Sequence, residues 1–565
     1  MVAEHLCNVF EPKPEIYKPR LTMSQHSTTK ANPTAMPKDG LAGLQENFSA
    51  DALSGFLVFL LAMPLSLGIA KASDFPPIYG VVAAMIGGII VSFFAGSPLT
   101  IKGPAAGLIV ICSGAVAEFG GGEHGWHLAL GAIVVAGLVQ ILFGFLKLGK
   151  YSDFVPVSAI HGMLAAIGLI IFSKQIHTLL GVNPGDLKGL DPIDLLGRIP
   201  RSLLEMNPSI AIVGIVSLLI MFGMPLIQNK TVKKIPPPLV VLLISIPMGI
   251  FMDFKNALPT YSLVKVGSLV ESIKYNADFS GIAQAGIFIK YVILFALIGT
   301  IESLLTVKAI DGLDPYHRKS DTNKDTIAVG IGNVISGLLG GLPMISEVAR
   351  SSANVTNGAR TRWANFFHGL SLLVFVLLAT PVIEMIPNAA LAAMLIFVGY
   401  RLASPKEFRH MYHIGWQQLV VFLSTIVITL AEDLLVGVFA GIAIKLLLNL
   451  ILGKPNPGNI FKAKVTHLHE SALHHIKLSG SATFSNYLSI KKKLERIPTN
   501  ENVVIDLSEV SLADHTVIAN LESLGRDFVR AGGSFAIIGL DELQSLGRTQ
   551  SSTHRRVNVA RMHLG

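Results

Sequence analysis

Runs of apolar residues follow one another from Ala52 to about Leu452, separated by shorter polar stretches. Their approximate spans are 52–71, 77–96, 104–117, 127–146, 155–173, 209–228, 237–252, 287–307, 326–339, 344–356, 365–382, 389–402, 415–431 and 434–453. A helix needs about 20 apolar residues to cross the hydrocarbon of a bilayer. The pattern therefore predicts an α-helical polytopic membrane domain of fourteen segments, several too short to cross alone. Beyond residue 455 the period changes. "VVIDLSEVSLADHTVIANLESLGRDFVRAGGSFAIIGL" reads as buried strand, turn, amphipathic helix, Gly-Gly turn and second buried strand. That is a βαβ pattern of a small α/β domain. The chain divides into a polar tail at 1–47, expected to be disordered, a membrane domain at 48–455, the α/β domain at 456–550 and a basic tail at 551–565.

Composition agrees with this division. Of 565 residues, 51% are hydrophobic and only 15% charged, where a soluble chain carries about 25%. The net charge of +8 belongs to loops rather than to a nucleic-acid surface. Lys147 and Lys150 follow segment 4, Lys230, Lys233 and Lys234 follow segment 6, and Lys308, Arg318, Lys319 and Lys324 follow segment 8. Arg360 and Arg362 follow segment 10, Arg401, Lys406 and Arg409 follow segment 12, and Lys454 and Lys462 follow segment 14. The short loops on the other side, "EFGGGEHGWH", "PVIEMIPNAA" and "AEDLL", contain no Lys or Arg. Basic loops mark the cytoplasmic side, so both termini are expected in the cytoplasm and the protein in the plasma (inner) membrane. The first 47 residues contain no apolar core of a cleaved signal peptide. The only cysteines, Cys7 and Cys112, form no metal or disulfide pattern.

Segments 3 and 10 are interrupted. "GSPLTIKGPAAGLIVICSGAVAE" gives Gly-Ser-Pro, a β-type stretch and a short helix starting near Pro104. "GLLGGLPMISEVARSSANV" gives Gly-Gly-Leu-Pro, a short stretch and a helix starting near Ser346. They stand seven segments apart. Since seven is odd, the second half is inverted relative to the first, a 7+7 inverted repeat. Short interrupted segments at matching places in two halves point to a transporter's midplane site. A helix that begins in mid-membrane offers unpaired N–H groups and the positive end of its dipole, and two such ends make an anion site.

With those motifs in place, the chain resembles the sulfate permease (SulP) family of anion transporters from about residue 50 onward. The resemblance is carried by "AMPLSLGIA", "GPAAG", "LKLGKYSDFVPVSAIHGM", "IESLLTVKAID" and "DTIAVGIGNVISGLLGGLPMISEVARSSANVTNGART" in that order and spacing. It implies a core domain moving against a gate domain, a cytoplasmic STAS domain and a homodimer. It also implies a substrate site between the ends of segments 3 and 10, lined by segments 1 and 8. Carried onto this chain, the substrate-binding candidates are Ser66, Ala105, Ala106, Gly107, Ser346, Glu347, Val348 and Arg350. The cation-coupling candidates are Glu302 and Thr306, four apart and so on one helix face.

Glu302 can carry a coupled proton, help bind Na+, or pair structurally with a basic residue. Arg350 can offset substrate charge or pair with Glu347. Glu347 departs from the small or hydroxyl residue expected at this turn. It is protonated when substrate binds, holds a cation, or turns away to pair with Arg350. Lys102 can attract anions or snorkel. In the α/β domain, Asp514 is followed by His515 and Thr516, where relatives with a phosphorylated turn carry Ser after the Asp. This puts phosphorylation control in doubt and leaves Thr516 as the substitute acceptor.

Two patterns are set aside. "GFLKLGKY" nearly matches a P-loop, but Tyr151 replaces the required hydroxyl and the run follows a membrane helix. "HLHESALHH", with His467, His469, His474 and His475, could bind metal but reads more simply as a solvated junction. No nucleophile–base–acid constellation marks an enzyme, and no cofactor is expected beyond a coupling ion, H+ or Na+. The leading expectation is secondary active transport of a small inorganic anion, sulfate or bicarbonate, by an elevator-like movement. A passive anion channel or exchanger of the same fold and a C4-dicarboxylate transporter are the alternatives. A nucleobase carrier is disfavoured by the C-terminal domain.

Overall fold

The computed structural model describes residues 36–148, 155–187, 190–229, 235–259, 261–316, 318–432, 434–453, 460–470 and 473–556. Residues 1–35 and 557–565 of the expected tails lie outside the described residues, as do Lys150, Tyr151, Lys230, Lys233, Lys234 and Lys454. The fourteen expected segments are all present. Segment 1 is the helix Gly40–Ala72, segment 2 Ile78–Ile89, segment 4 Gly122–Phe145, segment 5 Val157–Leu179, segment 6 Pro208–Gly223 and segment 7 Pro237–Phe251. Segment 8 is Ala285–Leu313, segment 9 Thr322–Leu338, segment 11 Trp363–Ile383, segment 12 Asn388–Leu402, segment 13 Trp416–Ala431 and segment 14 Leu434–Gly453.

Segment 3 is a strand, β1 (Ile101–Pro104), a single 3-10 turn Ala106–Leu108 and a helix Ile109–Glu118. Segment 10 is a strand, β2 (Met344–Glu347), followed directly by a helix Val348–Thr356. The segment 10 helix thus begins two residues beyond its expected start and the segment 3 helix five, the latter after a 3-10 turn, because the extended stretch before each is longer. Pro104 closes β1 and Pro343 immediately precedes β2. Each sits where a missing N–H is tolerated, at the end of a strand or just before it.

Helix packing repeats under a shift of seven segments. Segment 2 packs on 11 as 9 packs on 4, segment 1 on 11 as 8 on 4, and segment 5 on 13 as 12 on 6. Segments 5 and 12 pack on each other across the centre of the second group. Segments 1–4 with 8–11 therefore form one body, and 5–7 with 12–14 another, as an inverted repeat requires.

The structure departs from the pattern at three places. Segment 1 starts at Gly40 rather than near 52, because Asp39 caps it and is itself held by Arg362, Nη2 to Oδ2 2.7 Å. The expected tail therefore ends earlier than residue 47. Within the stretch 174–208, expected as a loop, lies an amphipathic helix Pro192–Leu204. His177 of segment 5 pins it, donating from Nε2 to the Leu195 carbonyl and accepting at Nδ1 from Ser202. At the other end, His554–Arg555 pairs antiparallel with the sheet instead of fraying.

The C-terminal domain is built on β3 (Lys464–Glu470), β4 (Leu473–Ala482), β5 (Asn502–Ala513) and β6 (Ser534–Ile538). β3 is antiparallel to β4, and β4 and β6 flank β5 in parallel, so the expected βαβ unit is β5, the helix His515–Arg530 and β6. Ile476, Val503, Ile505, Leu507, Leu521 and Phe528 make its core. The domain docks against the starts of segments 5 and 13 and the end of segment 14. Asn449 donates to Asp514 Oδ2 at 2.8 Å, Gln418 to Thr553 at 3.1 Å, and the Val157 N–H to Thr516 Oγ1 at 3.4 Å. Thr516 is 1% exposed, which removes it from the reach of a kinase while the domain is docked.

His515 is buried at the same seam, with Nδ1 against the Ser551 carbonyl at 2.6 Å. Burial, with lesser contributions from the nearby Lys445 and His410, holds its imidazole below the ordinary 6.5. A histidine kept neutral in the fold stabilises it fully above that ordinary value, and the contribution drains away as pH falls toward the folded value, because the unfolded chain takes the proton first. Thermal unfolding should therefore drop more steeply below about pH 6.5 in the native chain than in His515→Gln. Parallel melting curves across pH 5–7 would refute this.

Candidate functional site

The two interrupted segments meet. β1 and β2 form an antiparallel ribbon in which Ile101 faces Glu347, Lys102 faces Ser346, Gly103 faces Ile345 and Pro104 faces Met344. The ribbon is about 10 Å long at 3.4 Å per residue. Because it is antiparallel, its two ends release the helices of segments 3 and 10 in opposite directions, so both begin inside the domain. Segments 1 and 8 each pack against both interrupted segments.

A two-stranded ribbon leaves edge groups unpaired, and nothing in hydrocarbon will pair them. Side chains of the surrounding helices do so here. Asn333 accepts the Met344 N–H at 2.6 Å and returns Nδ2 to the Met344 carbonyl. Ser303 accepts the Ser346 N–H at 3.1 Å, Ser351 the Ile101 N–H at 2.9 Å, and Asn365 the Lys102 N–H at 3.4 Å. The hub is Asp325, 1% exposed at the start of segment 9. Its Oδ1 takes the Lys102 ammonium at 2.8 Å and the N–H groups of Gly96 and Ser97 at 3.2 Å, and its Oδ2 takes the Ser346 hydroxyl at 3.0 Å. Lys102 is therefore neither an exposed anion lure nor a snorkelling side chain. It is half of a buried ion pair that also reaches Thr100.

At the ribbon ends the electrostatics are uneven. Ala105, which precedes the first turn of segment 3, gives that turn no side-chain cap. Glu302 of segment 8 lies over this turn instead: a Cβ added to Gly107 would sit 2.2 Å from its Oε1. Glu302 is buried, and Oε1 has no hydrogen-bond donor among the described residues. Thr306 is buried one turn along the same helix. At segment 10, Glu347 caps its own helix, accepting the Arg350 main-chain N–H at 2.7 Å. The expected pairing of Glu347 with Arg350 thus runs to the backbone and not to the guanidinium. That guanidinium is 1% exposed, rests against Gly103 of β1, and none of its three nitrogens has a hydrogen-bond partner among the described residues. His368 of segment 11 is 0% exposed with both ring nitrogens likewise unpartnered.

The sequence candidates are gathered unequally. Ala105, Ala106, Gly107, Ser346, Glu347, Val348 and Arg350 lie on the ribbon or its ends, with Glu302 beside them. Ser346 has its hydroxyl and its N–H already occupied, as described, and Val348 is 47% exposed. Ser66 is fully buried, donates to the Ala62 carbonyl of its own helix at 2.8 Å, and packs its backbone on Gly80 of segment 2. Asp325, Asn333 and His368 escaped sequence reasoning. His368 carried a usable signal, a lone ionisable residue in an apolar segment; Asp325 reads in sequence as an ordinary first-turn acid.

A family model described as the Sulfate permease family matches residues 48–425. The chain belongs to the sulfate permease family. Among its relatives is the bicarbonate transporter BicA of Picosynechococcus sp., 28% identical over 404 residues, which are 70% of this chain and 69% of that protein. The solved transmembrane domain of a cyanobacterial BicA superposes with a TM-score of 0.62 at 26% identity, covering 69% of this chain and 97% of that one. The murine Solute Carrier 26 family member A9 anion transporter, solved in its inward-facing state, matches with a TM-score of 0.63 at 14% identity over 92% of this chain and 93% of that one. At that identity it shows the fold alone, and its coverage extends through the C-terminal sheet, which is consistent with a STAS domain. Sulfate permease membership makes this chain an integral membrane anion transporter and not an enzyme.

A cavity of about 1220 Å³ opens between the two bodies on the face away from the C-terminal domain. Lys71, Asp74, Glu118, Lys174, Lys290 and Glu432 line its rim, and it reaches Val110, one turn beyond Gly107.

Two substitutions separate support from site. Asp325→Ala strands the Lys102 charge in the interior, at a cost of about 3–5 kcal/mol, and should lower the unfolding temperature sharply in detergent. In Gly103→Ala the new Cβ lies 2.5 Å from Arg350 Nη1, a side-chain end that can give way. This variant should fold normally and, with an anion seated against Arg350, lose about tenfold in anion affinity, measured by uptake at varied substrate concentration.

Proposed function

We propose that the protein is a secondary active transporter of a small inorganic anion, sulfate or bicarbonate, coupled to H+ or Na+ and working by an elevator-like movement of segments 1–4 and 8–11 against the rest. The observation that carries this reading is the Arg350 guanidinium, fully buried and without a hydrogen-bonding partner among the described residues. A buried charge of this kind is costly unless something completes its bonding. An oxyanion between Arg350 and the uncapped turn at Ala106 would meet planar donors on one side and main-chain N–H groups on the other.

Carboxylates set the condition for entry. Glu302 lies over the segment 3 turn and Glu347 fills the segment 10 turn. Each competes with an anion for the same positive ends. A proton on Glu302, or a cation beside it, relieves that competition, so anion and coupling ion enter together. Bicarbonate fits two acidic neighbours with less repulsion than doubly charged sulfate does, and a bicarbonate transporter is among the relatives. The second body and the C-terminal domain supply the frame and the homodimer contacts that the family resemblance implies, with both termini in the cytoplasm of the plasma membrane.

The test is uptake of labelled sulfate and bicarbonate into proteoliposomes under imposed pH and Na+ gradients. Arg350→Ala should cut uptake of the cognate anion by about 100-fold, the loss of a charge-assisted contact of about 3 kcal/mol. Glu302→Gln should abolish accumulation above equilibrium under either gradient. Accumulation at the native level in Glu302→Gln refutes the coupling role, and gradient-independent flux in the native chain makes the protein a channel.

A further inference from the structure

The C-terminal domain holds a second set of ligating side chains, far along the chain from the anion site and independent of its reading. In the β3–β4 hairpin His469 faces His474 directly, and His467 faces Ile476. Cross-strand partners share a sheet face, and residues two apart along a strand repeat it. His467, His469 and His474 therefore project from one face, while His475 projects from the other, toward Asp506. β5 runs parallel beside β4 with Val503 facing His474. Glu501, two residues before Val503, falls on the histidine face.

The side chains meet as the register requires. The His469 and His474 rings stack at 4.1 Å with an interplanar angle of 6°. His467 Nε2 lies 2.9 Å from His474 Nδ1, and His474 Nε2 bonds to the Glu501 carboxylate. One ligand atom from each of His469, His474 and Glu501 lies within 4.8 Å of the others. We propose that His469, His474 and Glu501 bind a divalent transition-metal ion of the zinc class, with His467 orienting His474.

Two imidazoles and a carboxylate are a zinc donor set, with bonds of about 2.0–2.2 Å. Tetrahedral ligand atoms then stand about 3.3 Å apart. Small rotamer adjustments at exposed His469 and half-buried Glu501 achieve that, with the ion entering between His474 Nε2 and the carboxylate that now holds it. Without the ion, His474 donates from Nε2 to Glu501 and accepts at Nδ1 from His467 Nε2; with the ion on Nε2, the His474 proton stands on Nδ1 instead, where His467 can accept it, as the outer partner of a ligating histidine commonly does. Nitrogen-rich donors select Zn2+, Co2+, Ni2+ or Cu2+ over Mg2+ and Ca2+. A fourth position remains for water on the exposed side. The bound ion would tie the closed end of the hairpin to the start of β5, joining three strands. A solvated junction would not require three histidines from two strands and a glutamate just ahead of a third to converge on one face.

The experiment uses the full chain without a polyhistidine tag, in detergent, titrated with Zn2+ by calorimetry and with Co2+ by its visible d–d absorption. One Zn2+ should bind per chain, and Co2+ should give the absorption of a four-coordinate ion that Zn2+ displaces. His469→Ala, at an exposed position that does not support the core, and Glu501→Gln should each weaken Zn2+ binding about tenfold or more. His475→Ala, on the opposite face, should bind as the native chain does. Absence of stoichiometric Zn2+ binding to the native chain, or an unchanged affinity in His469→Ala, overturns the site.

Discussion

An extended ribbon inside a membrane domain must have every backbone N–H and C=O answered from within the protein. That constraint organises the rest of this structure. β1 and β2 answer one another along their shared edge, and the outer edges call for polar side chains at fixed places on segments 8, 9, 10 and 11. Asn333, Ser303, Ser351 and Asn365 meet that demand. Asp325 goes further, tying the loop before β1, the Lys102 ammonium and the Ser346 hydroxyl to a single carboxylate. Because these bonds over-determine the ribbon, the two helix starts that leave it are fixed in position and direction. A site built on backbone N–H groups needs that rigidity more than one built on long side chains would.

The same constraint divides the charges into two kinds. Lys102 and Asp325 face each other with their bonding complete, so they hold the ribbon and offer nothing to a solute. Arg350, Glu302 and His368 are also buried, but their side chains carry polar atoms with no partner among the described residues. Burial alone would have placed all five residues in one class. What separates them is whether a partner already occupies the polar atoms, and on the proposed function that difference assigns Arg350 and Glu302 to transport and Lys102 and Asp325 to structure.

Much of this was legible in the sequence. Fourteen apolar runs, two of them broken by Gly and Pro seven segments apart, gave the architecture and the location of its centre, since both rest on local signals of length and backbone chemistry. The identities of the groups gathered there were less legible for three distinct reasons. Lys102 looked free because its partner is more than two hundred positions away, at Asp325. Glu347 and Arg350 are three apart, a spacing that suggests an ion pair. Whether the carboxylate caps the helix or reaches the guanidinium depends on a rotamer that spacing does not encode. The helix Pro192–Leu204 was hidden because its thirteen residues carry Asp194, Arg198 and Arg201, so it resembles a loop until His177 is seen to hold it. The histidine cluster of the β3–β4 hairpin was visible as composition, but convergence on one face needed the strand register and Glu501 from a different strand.

The seam between the two bodies completes the physical picture. The bonds that hold the ribbon join segments 8, 9 and 11 to segments 3 and 10 and these two to each other, all within one body. Across the seam, Leu391 and Leu395 of segment 12 face Gly68 of segment 1, where an added Cβ would lie 3.4–3.6 Å from them. Apolar contacts of this kind can be exchanged for neighbouring ones without unpairing a polar group, whereas sliding a hydrogen-bonded interface in lipid would expose donors and acceptors at a cost of several kcal/mol each. A hydrogen bond crosses the seam as well, Lys174 Nζ to the Ser113 hydroxyl at 3.0 Å, but both groups line the open cavity, where water can take the place of either partner. The cavity at Val110 already brings water to within a turn of the ribbon on one side. On the proposed function, a displacement of the first body along segments 5 and 12 would open the other side while leaving the ribbon, Asp325 and the two helix starts as they are.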